Sequence, residues 1–392
     1  MTLAELALTL TLLGGLGLVA SRFGLSAIPA YLLAGLLLGP NEPKQLALIE
    51  PSEVTEFVAQ LGIIFLLFFL GLEFTFDRVS RSRRHAIVGG AIDFVVNASL
   101  GLLIGFVAFG FEFSALILAA AIYVSSSAIT VKGLIDFRRL ADDETDLVLA
   151  ILVAEDLVLA FVLGFAPGGG GELADTLTVV AKALGFITVA LAASKWLTPV
   201  IDRVLDWLPR EFFLLAVVGF VVGMSAIGHE LGLSEAVGAL MAGVVLSETS
   251  VRAEIEERFF SFRDVFAALF FFVFGLSIDV GAIGEVGWIL AAAVAVTVAG
   301  KIGSTLWAGR LGGFTRRQSF NAGVALIAHG EFTVILAELA AENPAISAAE
   351  RSELVAFAGL YVLITATLGI VLMKESKVLG RRLFRTPTLE PG

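Results

Sequence analysis

Apolar segments recur along the whole chain, with little between them. Thirteen can be delimited in the 392 residues: 2–20, 27–40, 57–75, 86–109, 114–138, 144–166, 174–198, 211–228, 234–248, 260–280, 286–310, 317–342 and 351–374. A spanning helix needs about 20 apolar residues, and nothing but helices or closed barrels can satisfy a backbone inside lipid. Residues are 58% hydrophobic and only 16% charged, and the mean hydropathy is +0.94. A soluble domain carries about 25% charged residues. The expectation is an all-α polytopic membrane protein of about 13 transmembrane helices, with 1–380 as a single membrane domain and 381–392 as a short tail. The second and ninth segments are short.

The N-terminus lacks a basic stretch and runs straight into an apolar helix, so no cleavable leader is expected. There are no cysteines, which excludes thiol redox chemistry, disulfides and Cys-ligated zinc. The net charge of −11 fits either a high-salt habitat or acidic loops of another origin. Lys and Arg mark the cytoplasmic side. With the N-terminus outside and the C-terminus in the cytoplasm, all but Lys44, Arg351, Lys182 and Lys301 of the 26 basic residues fall in inside loops or the tail.

Against this background, charges within the spans stand out. Glu155 and Asp156 sit side by side in DLVLAILVAEDLVLAFVLGF, Asp146 to Phe165. A mid-membrane carboxylate costs roughly 2.5–3.5 kcal/mol on insertion scales, so an adjacent pair points to an ion or proton site. Lys301 lies within WILAAAVAVTVAGKIGSTLWAG, too far from either end to snorkel easily. It needs a partner, and Asp156 is the first candidate, with Glu155 or Glu331 next.

The chain also resembles itself at an offset near 204–208. FLLFFLGLEFTF (65–76) matches LFFFVFGLSIDV (269–280), and AYLLAGLLLGPNE (30–42) matches GALMAGVVLSET (238–249). The repeats are 2–166 and 211–374, joined by a linker helix, 174–198. A shift of seven helices inverts the second copy, and inverted repeats place a transporter's site near the midplane. Two spans in corresponding places are interrupted: AAAIYVSSSAITVKGL by Ser125, Ser126, Ser127 and Thr130, and ALIAHGEFTVILAEL by His329, Gly330 and Glu331. Hydroxyls back-bonding to their own helix would also account for the first. Broken helices would instead cross and expose dipole ends.

These residues together resemble the monovalent cation:proton antiporter superfamily, in its Kef-like branch, over about 1–380. The family's acidic pair falls on Glu155-Asp156, its Gly-Glu-Phe on Gly330-Glu331-Phe332, its core lysine on Lys301, its Gly-Leu-Glu on Gly71-Leu72-Glu73 and its Ser-rich break on Ser125–Ser127. The resemblance implies a homodimer. Each protomer would have a dimerisation panel and a moving core of helices 4–6 and 11–13. Glu155 and His329 depart from the family's usual residues at their positions. Kef-like proteins often carry a C-terminal nucleotide-binding domain, and none is expected here. His329 is either a titrating group or a hydrogen-bonding spacer.

The expected function is antiport of Na+ or K+ against H+, with cation and proton competing for Asp156. Hydroxyls of Ser125–Ser127 and freed carbonyls would complete an oxygen shell, with Thr130 a fourth candidate hydroxyl. No catalysis, cofactor or nucleic-acid partner is expected, and no metal beyond the transported ion. Asp93 and Asn97, four apart on one helix face, either line the core or make a structural bond. Glu73 is either a site residue or an interfacial one, Glu235 is expected to cap its helix, and Glu338 shares a face with Glu331. GLGLVA (15–20) has no strand before it and is no nucleotide site. His229-Glu230 does not extend to a zinc motif, and Gly168–Gly171 reads as an outside loop. A cation channel is the alternative, although no TVGYG-like filter is present. An intramembrane protease would need Asp93 as a second aspartate, and its flank is wrong.

Overall fold

A computed structural model describes residues 3–384, apart from 24–25, 42–48, 50, 74–82, 166–172, 197, 208, 232 and 234. Among the described residues every regular element is helical. In order these are α1 (Leu3–Arg22), α2 (Ala27–Leu38), α3 (Glu53–Glu73), α4 (Arg83–Asp93), a π-helical turn (Phe94–Ala98), α5 (Ser99–Phe109), α6 (Phe113–Tyr123), α7 (Ser127–Asp136) and α8 (Glu144–Phe165). They continue as α9 (Leu173–Trp196), α10 (Thr198–Trp207), α11 (Arg210–Glu230), α12 (Glu235–Ser247), α13 (Arg252–Ser277), α14 (Ile283–Gly312), α15 (Arg316–Ala325), α16 (Glu331–Glu342) and α17 (Ala348–Leu383). Each of the thirteen apolar segments falls on one of these helices or on a run of consecutive ones. Among the described residues, seven stretches are long and apolar enough to cross a membrane alone, and eight if α9 and α10, bent by 63°, count together.

Local chemistry sets the helix ends. Ser347 and Glu350 form a reciprocal capping box at the start of α17, and Thr315 and Gln318 form another at α15, satisfying amide groups that have no helical partner. Gly110 (φ 70) and Gly313 (φ 83) end α5 and α14 in the left-handed region, which glycine enters without steric cost. Glu235 is the first residue of α12, where a carboxylate favours the helix dipole. It also accepts a bond from Gln60 Nε2 on α3.

Two packed layers result. One contains α2, α3, α12 and α13, with α1 against α2 and α11 against α12. Glycines let these backbones touch: a methyl on Gly71 would lie 2.8 Å from Gly243 Cα, and one on Gly35 would lie 2.7 Å from Gly275 Cα. Small residues are the usual means of close helix approach in membranes. The other layer packs α4 against α8 and α14, α5 against α6, and α15 and α16 against α17. Arg139, whose charge marks an inside loop in the sequence, packs into this layer. It is buried, donating to Glu144, Asp142, Ser376 Oγ and the Met373 carbonyl. Glu73 ends α3, but its side chain, like the loop at Gly168–Gly171, lies outside the described residues.

Candidate functional site: two broken helices around a buried lysine

Both interruptions are real breaks. Val124–Ser126 separates α6 from α7 in extended backbone, and 326–330 separates α15 from α16. A break frees carbonyls at the end of one half-helix and amides at the start of the next. In a dry interior each must find a partner, and here the partners come largely from across the molecule. At the end of α6, the Ala121 carbonyl accepts from Thr333 Oγ1 (3.1 Å), Ile122 faces His329 Nε2 (2.9 Å) and Tyr123 accepts from Lys301 Nζ (2.7 Å). At the end of α15, Ala325 accepts from Thr130 Oγ1 (2.9 Å), Leu326 from Ser125 Oγ (2.8 Å) and Ala328 from the Ser126 amide (2.8 Å). The polar residues at each break thus cap the other break.

The starts of the half-helices hold the carboxylates. Glu331 opens α16 and accepts from Ser126 Oγ at 2.7 Å. Ser127 opens α7, and its hydroxyl lies 3.3 Å from Asp156 Oδ2. Negative groups at helix N-termini and the Lys301 ammonium at the C-terminal end of α6 both follow the helix dipole.

Lys301 and Glu155 are fully buried, while Asp156 is 7% exposed. Lys301 Nζ meets Glu155 Oε1 at 2.7 Å and Asp93 Oδ2 at 2.9 Å. This corrects the expected first partner: the ammonium's three donors go to Glu155, Asp93 and the Tyr123 carbonyl, not to Asp156. Adjacent positions on a helix point about 100° apart, so a lysine that reaches Glu155 turns Asp156 towards a different surface. Glu155 also accepts the Ser125 amide at 2.6 Å. Asp93 and Asn97 are neighbours, as their spacing implied, with Asn97 Nδ2 2.7 Å from Asp93 Oδ1. Both are buried beside Lys301 rather than beside Asp156. Of the four predicted hydroxyls, only Ser127 donates to Asp156. Ser125, Ser126 and Thr130 donate to Leu326, Glu331 and Ala325. The His329 ring bridges the breaks, with Nδ1 2.9 Å from the Ile327 carbonyl and Nε2 on Ile122.

Three participants went unnoticed in the sequence. Tyr123 supplies a carbonyl to Lys301 and presents its ring face 5.2 Å from the ammonium. Ser304 donates to Asp93 at 2.7 Å, and its position three after Lys301, on the same helix face, was a usable signal. Thr333, three after Gly330, repeats the role of Thr130.

A family model described as the transmembrane sodium/hydrogen exchanger matches residues 8–374. The chain belongs to this family of multi-pass membrane cation/proton antiporters. It is similar to the K(+)/H(+) antiporter subunit KhtU of Bacillus subtilis, 38% identical over 99% of this chain and 98% of that one. It is similar also to the ammonium/H(+) antiporter subunit AmhT of Alkalihalophilus pseudofirmus, 27% identical over 96% of this chain and 94% of that one. The fold is that of the sodium proton antiporter MjNhaP1 from Methanocaldococcus jannaschii, with a TM-score of 0.70 at 18% identity over 98% of both chains.

Proposed function

We propose that the protein exchanges a monovalent cation, K+ or Na+, for protons by alternating access, with Asp156 as the group for which cation and proton compete. The observation that carries this reading is the division of labour within the acidic pair. Glu155 is fully enclosed and engaged by Lys301 and the Ser125 amide. Asp156, beside the start of α7, keeps a small exposure of 7%. A carboxylate there holds a proton or a partly dehydrated cation, and the core crosses only when that charge is neutralised. Glu331 and His329 shape the second half-helix, and Ser127 adds an oxygen next to Asp156. The similarity to a K(+)/H(+) antiporter subunit over nearly the whole chain favours K+.

The same reading extends to architecture. Thirteen crossings put the N-terminus outside and the C-terminus in the cytoplasm. Repeats 2–166 and 211–374 are inverted about the linker helix 174–198. Support comes from contacts that occur in pairs at the repeat offset: Thr130 to Ala325 with Thr333 to Ala121, and Ser125 to Leu326 with His329 to Ile122. The glycine crossings pair in the same way. The layer of α2, α3, α12 and α13 would be the fixed panel of a homodimer, and the layer holding both breaks would be the moving core.

In proteoliposomes carrying a pH-sensitive dye, adding K+ or Na+ should dissipate an imposed proton gradient, and Asp156→Asn should abolish this while the protein stays folded. Residual cation-driven proton movement in that variant sinks the assignment. A cation channel would pass the ion with no counter-moving proton, and running the assay with Na+, K+ and Li+ in turn ranks the ions.

A further inference from the structure

The short helix α10 differs from every span around it. α9 is 24 residues long, about 36 Å at 1.5 Å per residue, enough to cross a bilayer. α10 has 10 residues, about 15 Å, and cannot cross. The chain bends by 63° between them. α10 therefore turns away from the axis of the span and towards the membrane plane. Its side chains sort into three faces at the helical period. Ile201 and Leu205 pack into the protein. Asp202 and Arg203 form a polar face, and Asp202 Oδ1 accepts the Ser250 amide at 2.9 Å, which ties α10 to the turn between α12 and α13. The third face holds Val200, Val204 and Trp207, all exposed. Trp196, where α9 ends, is 78% exposed and Trp207 is 83% exposed.

We propose that α10 is a membrane-surface helix, lying in one membrane–water interface with Val200, Val204 and Trp207 sunk among phospholipids at the boundary of headgroups and acyl chains. A short helix with one apolar and one charged face is the form that such helices take, and tryptophan is enriched at that depth. The apolar surface is also continuous with the lipid-facing surface of the spans. Exposed Val189 on α9 leads into it, and exposed Phe212 and Leu215 on α11 lead out of it. Beside it a groove of about 550 Å3 opens between α9 and α11. Phe186, Val189, Ala193, Ile201, Phe220 and Met224 line it, and Lys182 is its one charged residue. Lipid wets such a surface without cost, whereas water does not. On its inner side α10 is fixed by Ile201, Leu205 and Asp202, so the layer of α12 and α13 rests on the bilayer surface through this helix.

The test uses the full-length protein in liposomes of phosphatidylcholine brominated near the carbonyl end or near the methyl end of its chains. Bromine quenches tryptophan fluorescence on contact, so the two lipids report depth. Trp288→Phe and Trp307→Phe leave Trp196 and Trp207 as the only tryptophans, and replacing either by Phe gives two single-tryptophan proteins. A straight continuation of α9 would carry Trp207 about 16 Å beyond Trp196, whereas a helix in the membrane plane keeps them level. Both proteins should be quenched at least twofold more by the shallow bromine than by the deep one, and to a similar extent. Trp207 left unquenched by both lipids while Trp196 is quenched overturns the proposal, since α10 then points into water or is covered by a second copy. Stronger quenching of Trp207 by the deep bromine also overturns it, since α10 then re-enters the bilayer as part of a broken span. In the Trp207 protein, Val200→Asp with Val204→Asp should lower shallow quenching at least twofold, and Val200→Leu with Val204→Leu should retain it. An aspartate pair that changes nothing overturns the role of that face. If that pair is not recovered folded, the two single-tryptophan proteins, whose valine face is native, still decide the proposal.

Discussion

At the scale of single residues, the site is a set of matched charges. Removing one partner of a buried pair costs about 3–5 kcal/mol, because the other is left uncompensated. Lys301→Met is therefore expected to destabilise the protein by about that much, read as a lowered melting temperature in detergent. Adding Asp93→Asn and Glu155→Gln to it removes both stranded charges, and the triple variant should melt above the single one. A triple variant that melts no higher would mean the ammonium is not held by these two carboxylates. The sequence displayed the acidic pair and the lysine openly, because a charge inside an apolar run has no cheap explanation. The pairing between them was not legible. Which carboxylate Lys301 meets depends on where α4 and α8 sit around α14, and no local pattern carries that. Asp93 was visible as one half of a same-face pair with Asn97 and as a second intramembrane aspartate, but not as a partner of Lys301.

Elements show a different balance. Both breaks could be read from the polar residues that interrupt Phe113–Asp136 and Arg316–Glu342, since back-bonding hydroxyls account for the first alone and not for a His-Gly-Glu run in the corresponding place. The cross-capping was out of reach, because each donor sits about 200 positions from its acceptor. Thr130 Oγ1 serves Ala325 across 195 positions and Thr333 Oγ1 serves Ala121 across 212. Hydrogen bonds between membrane helices are worth about 0.6 kcal/mol on average and about 1.7 at most. Thr130→Val and Thr333→Val should each lower stability by an amount in that range, and by similar amounts. The effects should add in the double variant if the two bonds act independently, as thermal melts of all three would reveal. Gly330 belongs to the same element: a methyl there would lie 2.7 Å from Ser126 Oγ. Gly330→Val is expected to force the breaks apart and stop exchange, with stability falling less than in Lys301→Met.

On the scale of the whole molecule, the absence of cysteine makes topology directly testable. A single cysteine replacing Lys44 should react with a membrane-impermeant maleimide added to intact cells. One replacing Lys377 should react only after the membrane is opened. The reverse pattern would invert the orientation inferred from basic residues. The helices themselves were legible from composition. Their assembly into two layers was not, since lipid-facing and protein-facing apolar residues look alike when the solvent is itself apolar. Leu103 and Val107 on α5 are exposed, while Ile104 between them is buried.

The glycine crossings have a consequence for how the chain is made. Gly35 meets Gly275 and Gly71 meets Gly243, and Asn41 donates to the Leu276 carbonyl across 235 positions. Apart from the packing of α1 on α2, the first helices to leave the ribosome therefore lack their main neighbours until α12 and α13 have been synthesised. α2, only 12 residues long, must wait in the bilayer or its insertion machinery through most of translation. Chains arrested after α11 should accordingly be far more sensitive to a membrane protease than chains arrested after α13, and the step between them times the closure of the panel.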